Sequence, residues 1–448
     1  MPFHATLTQL VDVLGATTDH LTDRTQIATG ITTDSRHVKP GDIFLALRGE
    51  TFDGHEFVSQ ALEQGAIAAI VDSRFQSSDL PLLKVEDTLR AYQAIAHWWR
   101  HQFDIPVIAI TGSVGKTTTK ELIAGVLSQF GNVLKTQANY NNEIGVPKTL
   151  LELSQEHDYA VVEMGMRARG EIALLSQIAS PTIAVITNVG TAHIGRLGSR
   201  EAIAEAKCEL LAEMPQDAIA ILNHDNPLLI QTAQSVWYGK TLTYGLEGGD
   251  LHGQLTNAET LRVDDRSFPL PLPGQHNALN YLAALAVVRT LNLEESTLTA
   301  PIYVELPGGR SRKFELANDV VILDETYNAG LESMLAALHL LADTPGKRHI
   351  AVLGTMKELG DWSVPFHQQV GATAKQLNLD GLLILADEAE AEALTLGAAP
   401  LPSEKFSTHE EVVTRLKELV RSGDRLLFKA SRSVGLDRAV EQFRSQFQ

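Results

Sequence analysis

The run Val107-Ile-Ala-Ile-Thr-Gly112-Ser113-Val114-Gly115-Lys116-Thr117-Thr118-Thr119 holds the residue types that grip phosphate. An apolar stretch enters a glycine turn, and Lys-Thr follows at once at the head of a helix. Glycines let backbone N–H groups approach a phosphate closely, and the helix N-terminus adds partial positive charge. Lys116 would reach the β- and γ-phosphates and the Thr117 hydroxyl would ligate Mg²⁺. Ile110 stands where the full consensus has its distal glycine, so this is a shortened P-loop. A nucleotide site is the preferred reading over a plain tight turn.

Two more residues sit where such a site needs them. Tyr159 to Val162 is an apolar run ending in Glu163, and Ile183 to Thr187 leads to His193. Ligands collect at the carboxyl ends of strands in parallel sheets, so Glu163 and His193 would lie near the P-loop and could hold a divalent cation. Alone, Glu163 reads equally well as a solvated turn residue, and His193 as a hydrogen-bonded loop histidine. The stripe Ile203, Lys207, Leu210, Leu211, Met214 sets a lysine on an apolar helix face. Either Lys207 snorkels out along its stem, or its charge is paired or chemically masked. Asn277, in Gly274-Gln-His-Asn, would cap a helix or read an adenine edge. Arg310 follows the glycines of a hinge and would close onto a γ-phosphate as two domains meet. Asp324-Glu-Thr-Tyr327-Asn328 ends another strand.

These residues need strands and helices in alternation to hold them. Ile43–Leu47 and Ala66–Val71 read as strands around a helix at Phe57–Gln64, with a break near residue 84 at Pro81 and the charged run Lys84 to Asp87. A helix at Thr88–His101 carries Trp98 and Trp99 as packing residues. The βαβ pattern follows. Short strands with glycine turns fill Tyr238–Pro273, and a helix spans about Ala278–Leu291. Beyond Leu306-Pro-Gly-Gly309, strands at Val320–Leu323, Ile350–Leu353, Leu382–Leu385 and Leu426–Phe428 alternate with helices, a second doubly wound unit. The expectation is an α/β chain of three domains. A small α/β domain covers 1–84, a central P-loop domain with a parallel sheet covers 85–311, and a Rossmann-like domain covers 312–448.

The 448 residues carry 37 basic against 55 acidic side chains, a net charge of −18. That excess argues against coating nucleic acid. A single cysteine, Cys208, excludes an intrachain disulfide and a cysteine-built metal site. No apolar run reaches the roughly 20 residues that span a bilayer, and Met1 to Val13 lacks the pattern of a signal peptide. A soluble cytoplasmic protein is expected.

With these residues in view, the chain resembles the Mur ligase family, which uses ATP to join an amino acid or peptide to a nucleotide-linked sugar-peptide. The likeness covers nearly the whole chain. Thr111-Gly-Ser-Val-Gly-Lys-Thr-Thr118 resembles the family's ATP loop, missing distal glycine included. Asn139-Tyr-Asn141-Asn142-Glu-Ile-Gly-Val-Pro147, Asp324–Asn328, Leu353-Gly-Thr-Met-Lys-Glu358-Leu-Gly360 and Lys429-Ala-Ser-Arg432-Ser433 resemble the branch that adds D-alanyl-D-alanine to UDP-N-acetylmuramoyl-tripeptide. The Asp-Asn-Pro-Arg motif of the diaminopimelate-adding branch is absent.

The resemblance implies a role for each matching position. Thr117, Glu163 and His193 would serve Mg²⁺, and Lys207 would be the lysine that family members carbamylate. Lys116, Lys207, His193 and Arg310 would be catalytic. Gly112, Ser113, Val114, Gly115, Lys116, Thr117 and Thr118 would cradle ATP. Asn277 would touch adenine, Arg310 the γ-phosphate and Asp324 the ribose, with Tyr327 and Asn328 beside them. Thr33-Asp-Ser35-Arg36 with Gly41-Asp-Ile-Phe44 resembles the UDP-sugar segment, while Asn141 and Asn142 would face the muramoyl-peptide and Arg432 the incoming dipeptide. Thr355 stands where the family commonly has Asp, Gly330 replaces an Asn-Pro-type continuation, and Glu325 stands where Asp is frequent. The chain is expected to act as a monomer. The rival readings are another Mur-type or folylpolyglutamate-type ligase, disfavoured for folate by the Thr33–Phe44 segment, and an ATP-dependent switch.

Overall fold

The computed structural model describes residues 3–447 apart from 78, 258, 299–301, 303 and 305. The outer ends of the first and last expected segments, residues 1, 2 and 448, lie outside the described residues.

Strand-forming runs of β-branched and small apolar residues build three main sheets among the described residues. The first runs Thr17–Asp19, Leu82–Val85, Ala68–Asp72, Asp42–Leu45, Gly30–Thr32, parallel except at its Thr17–Asp19 edge. The expected break at residue 84 falls inside the strand Leu82–Val85, so this sheet runs on to Val85. By its charge alone Lys84 reads as a terminator. It sits in the strand because its ammonium meets Asp19, on the paired edge strand, at 2.5 Å.

The helix Thr88–Arg100 leads into the central sheet and buries Trp99, whose indole N–H donates to Leu153 O at 3.1 Å. The sheet runs Val133–Lys135, Tyr159–Glu163, Val107–Thr111, Ile183–Ile186, Ile219–Asn223, Lys240–Gly245, Leu251–Asn257, then the antiparallel Thr260–Val263 and Arg266–Pro269. The expected parallel sheet therefore carries an antiparallel extension. Val107–Thr111 lies between Tyr159–Glu163 and Ile183–Ile186, with Ile110 beside Glu163 and Thr111 beside Ile186. That register brings the three strand ends expected to carry chemistry to one edge.

The third sheet runs Arg312–Leu316, Val320–Asp324, Asp424–Lys429, Arg348–Gly354, Gly381–Leu385, Ser403–Lys405. Only the Arg312–Leu316 edge is antiparallel. Helices such as Leu331–Asp343 and Ser363–Gln376 connect the parallel strands, in a doubly wound arrangement that leaves strand ends open to ligands. No helix among the described residues is long and apolar enough to cross a membrane.

Candidate active site

The P-loop is clamped by the neighbouring strand end. Gly115, at φ +83, caps the helix Lys116–Leu127. Its missing Cβ leaves room for Asn280 Oδ1, which an added Cβ would meet at 2.7 Å. Asn188 holds the loop by three bonds. Its carbonyl accepts from Ser113 N at 3.1 Å, its Oδ1 accepts from Val114 N at 3.0 Å, and its Nδ2 donates to Val114 O at 3.0 Å. Thr187 Oγ1 adds a fourth, donating to Val114 O at 2.7 Å. Asn188 is a loop-holding residue that sequence reasoning passed over, although its place just past a strand end was a usable signal.

Lys116 bends its ammonium onto Gly112 O at 2.6 Å and Ser113 O at 3.3 Å. Burial pushes its pKa below the usual lysine range and nearby Arg310 adds to this, while Glu163 opposes it. Thr117 and Thr118 are buried in the first turn of the same helix.

Glu163 is buried. Its Oε1 accepts from Asn141 Nδ2 at 2.8 Å, and its backbone N–H donates to Thr136 Oγ1 at 3.0 Å. Its Oε2 has no hydrogen-bond partner, only the Lys120 ammonium at 3.8 Å. Buried carboxylate oxygens are seldom left so, and a hard oxygen without a hydrogen bond beside the P-loop fits Mg²⁺. Among the described residues no group of three His, Cys, Asp or Glu forms a cage. Mg²⁺ needs none, since it is held by one or two carboxylates plus substrate phosphates and water. Asn141 thus touches Glu163, and Asn142 spends its Oδ1 on Gly145 N at 2.9 Å, a local turn role.

Lys207 lies on the helix Arg200–Glu213 and is 1% exposed, so it does not snorkel. Among the described residues no carboxylate stands within 4 Å of its ammonium. Burial, reinforced by the charge of Lys116, drives its pKa well below the ordinary value. A charged ammonium here is buried without a carboxylate partner, which is costly. His193 is reached by the charges of both Lys116 and Lys207, and burial is the first cause of its lowered pKa. It carries φ +66 at the head of the short helix Ile194–Leu197, and its Nδ1 lies 2.8 Å from Glu358 Oε2.

Arg310 completes the group. Its guanidinium stacks 3.9 Å from the Tyr327 ring centroid, and its buried Nε has no hydrogen-bond partner. Gly309 O accepts from Tyr327 N at 2.8 Å, fixing the hinge against the strand end that carries Asp324. Asp324 is buried, which raises its pKa, and its Oδ1 accepts from Thr326 N and Oγ1 at 3.1 and 2.6 Å. Asn328 is exposed, its Oδ1 bonded to Ala329 N at 2.9 Å.

The shortened P-loop, the Glu163 strand end, the buried Lys207 and the hinge Arg310 all fit one family, and sequence comparison decides it. Residues 28–97, 110–288 and 309–432 match the models for the Mur ligase catalytic, middle and glutamate ligase domains. The chain is also 61% identical over 414 residues to UDP-N-acetylmuramoyl-tripeptide–D-alanyl-D-alanine ligase of Synechocystis sp., covering 92% of this chain and 91% of that one. The chain belongs to the Mur ligase family. Solved structures agree. MurF from Acinetobacter baumannii superposes with a TM-score of 0.91 at 32% identity, over 99% of this chain and 100% of that chain. MurF ligase from Thermotoga maritima in complex with ADP gives 0.83 at 33%, over 93% and 97%. This Mur ligase is therefore an ATP-dependent enzyme that forms an amide bond.

Other expected site residues of this Mur ligase lie as follows. Asn277, at the head of the helix Gln275–Thr290, donates from Nδ2 to Pro273 O at 2.7 Å, and the N-cap is Gly274. Asn277 is not the cap. Ser35 is buried in a short turn, while Arg36 is exposed and bonded to Asp34 Oδ2 at 2.7 Å, which holds the Asp34 carboxyl well below the usual range. Arg432 is also exposed, 5.9 Å from the Tyr327 ring centroid and 3.4 Å from Asp437. Thr355 is buried and its Oγ1 accepts from Asp387 N at 2.9 Å. Lys120 went unremarked in the sequence, and Lys429 was noted only as the first residue of a motif. Lys120 donates to Thr136 O at 2.8 Å and meets Glu121 at 3.0 Å. Lys429, its pKa lowered by burial, donates to Asn328 O at 3.0 Å and feels Glu325, Arg310 and Asp324.

Proposed function

We propose that the chain adds D-alanyl-D-alanine to UDP-N-acetylmuramoyl-tripeptide through an acyl phosphate, giving the UDP-muramoyl-pentapeptide precursor of peptidoglycan. The observation that carries the chemistry is the convergence of Lys116, Glu163 and Arg310 on one P-loop, where Lys116 feels the charge of both others. The choice of substrates is supported by the 61% identical relative and its name.

A carboxylate resists attack by an amine, so it is activated first. The terminal carboxylate of the tripeptide attacks the ATP γ-phosphorus, ADP leaves, and an acyl phosphate forms. The dipeptide amine then attacks the acyl carbon, and phosphate departs through a tetrahedral intermediate while the amine loses its proton. Two anions meet in the first step, so Lys116 and the stacked Arg310, whose buried Nε is free to donate, supply positive charge where negative charge gathers. Thr117, Glu163, His193 and a carbamylated Lys207 would hold Mg²⁺, which when bound offsets charge on the phosphates. The unprotonated Lys207 amine would add to CO₂ and lose a proton, leaving a carbamate anion at a position where an unpaired buried cation is costly. Asp324 would hold the ribose and Asn277 would sit by adenine, with Tyr327 and Asn328 alongside.

In this reading the first sheet, through Val85, takes the uridine end with Ser35 and Arg36. The segment to residue 311 holds ATP, with Asn141 and Asn142 toward the muramoyl-peptide. The segment from 312 brings the dipeptide past Arg432. The enzyme works as a cytoplasmic monomer. The test is phosphate release from Mg-ATP with each substrate alone and with both. Release that needs both, with the pentapeptide found by mass, supports the assignment. Release indifferent to either favours an ATP switch, and turnover with a single amino acid in place of the dipeptide moves the chain to another Mur step.

A further inference from the structure

His193 belongs to the central segment, yet its ring is met from the C-terminal one. Glu358 Oε2 lies 2.8 Å from His193 Nδ1, and Oε1 lies 3.3 Å from Arg196 Nη2. The Glu358 carbonyl accepts from Gly195 N at 3.3 Å. The two segments touch so closely that a Cβ on Gly195 would meet Gly360 N at 2.7 Å and Glu358 O at 2.8 Å. Glu358 holds φ +65, a left-handed conformation that costs a non-glycine residue free energy and persists where the surroundings impose it. A second carboxylate grips the same loop, for Glu332 accepts from Thr191 N at 2.8 Å and Thr191 Oγ1 at 3.0 Å.

A carboxylate offers only acceptors, so His193 Nδ1 must be the donor of that contact. A histidine that ligates an ion is neutral. With its one proton on Nδ1, the ring keeps Nε2 as its acceptor. Metal-binding histidines commonly have their other nitrogen fixed by a carboxylate. Here that carboxylate comes from a different sheet segment.

We infer that Glu358 is a positioning residue, which selects the Nδ1–H form of His193 when the C-terminal segment docks on the Thr191–Arg196 loop. Docking and readiness of His193 then become one event. The inference rests on the ion-binding role of His193 proposed above.

The test uses the full chain labelled with ¹⁵N-histidine, with the His193 signals assigned by their loss in His193→Gln. Long-range ¹H–¹⁵N correlation reads the tautomer, and calorimetry of ADP binding across a Mg²⁺ series reads the ion requirement. Wild type should show the Nδ1–H pattern. Glu358→Ala should lose it and need about 10- to 100-fold more Mg²⁺, with ADP affinity in the absence of Mg²⁺ unchanged. Glu358→Gln, whose carbonyl oxygen still accepts, should keep the pattern. If Glu358→Ala does not fold, Glu332→Ala, which loosens the same docking without touching His193, should shift the tautomer balance in the same direction. An Nε2–H form in wild type, or variants unchanged in tautomer or Mg²⁺ requirement, overturns the inference. Phosphate release by wild type, dependent on both substrates, reports separately on the ligase reading.

Discussion

Gly112→Ala should cripple turnover, and the structure says by how much. An alanine Cβ would fall 1.9 Å from Thr187 Oγ1, where ordinary contact begins at 3.4 Å. The loop or the threonine must therefore give by about 1.5 Å (3.4 − 1.9). Thr187 cannot move alone, since its hydroxyl donates to Val114 O and the adjoining Asn188 holds Ser113 and Val114 by three more bonds. Overpacking of this kind costs roughly 1–3 kcal/mol, and each lost hydrogen bond adds about 1 kcal/mol. A shift of about 1 Å in a phosphate-positioning loop costs on the order of 100-fold in rate. Phosphate release under saturating substrates should fall by about that factor. Thr187→Ala in the same chain removes the obstructing oxygen and should recover part of the loss, so the double variant should beat the sum of the singles. Wild-type kcat and KM for ATP in Gly112→Ala, or strict additivity in the double variant, would refute the clamped-loop reasoning.

Three further outcomes follow from named groups. Lys116→Ala should lower phosphate release by about 10²- to 10³-fold, the usual cost of a donor aimed at developing charge, and full turnover in steady-state assays would sink its assignment. Added bicarbonate should raise turnover of CO₂-depleted enzyme, while Lys207→Arg, whose guanidinium does not form a carbamate, should be inactive and indifferent to bicarbonate. Cys208 is buried, which pushes its thiol up to about 12 from 9.0. It should resist thiol reagents at pH 8 until the chain is unfolded. Because the native state keeps that proton longer, the thiol's contribution to stability should fall as pH rises from about 9 to 12, which denaturant midpoints across that range would measure.

The P-loop was legible because a strand, two glycines and Lys-Thr are local in sequence and have few other uses. Lys207 announced itself through helical spacing, although only packing decided between snorkelling and burial. What stayed hidden was long-range. Glu358 meets His193 across 165 positions, and nothing in Lys-Glu-Leu-Gly marks that partner. The strand Leu82–Val85 was obscured by Pro81 and by Lys84, whose charge is answered by Asp19 on a neighbouring strand. Asn277 shows the limit of local chemistry. Its type and place suggest a cap, but glycine takes that position and the side chain turns to Pro273.

The central claim is that the tripeptide carboxylate is phosphorylated before the amide forms, and isotope transfer tests it most directly. UDP-N-acetylmuramoyl-tripeptide labelled with ¹⁸O in its terminal carboxylate is turned over with ATP and D-alanyl-D-alanine, and the released phosphate is weighed. An acyl phosphate requires one carboxylate oxygen to leave with the phosphate, so every phosphate formed from fully labelled substrate should carry one ¹⁸O. Unlabelled phosphate alongside amide product would contradict the account.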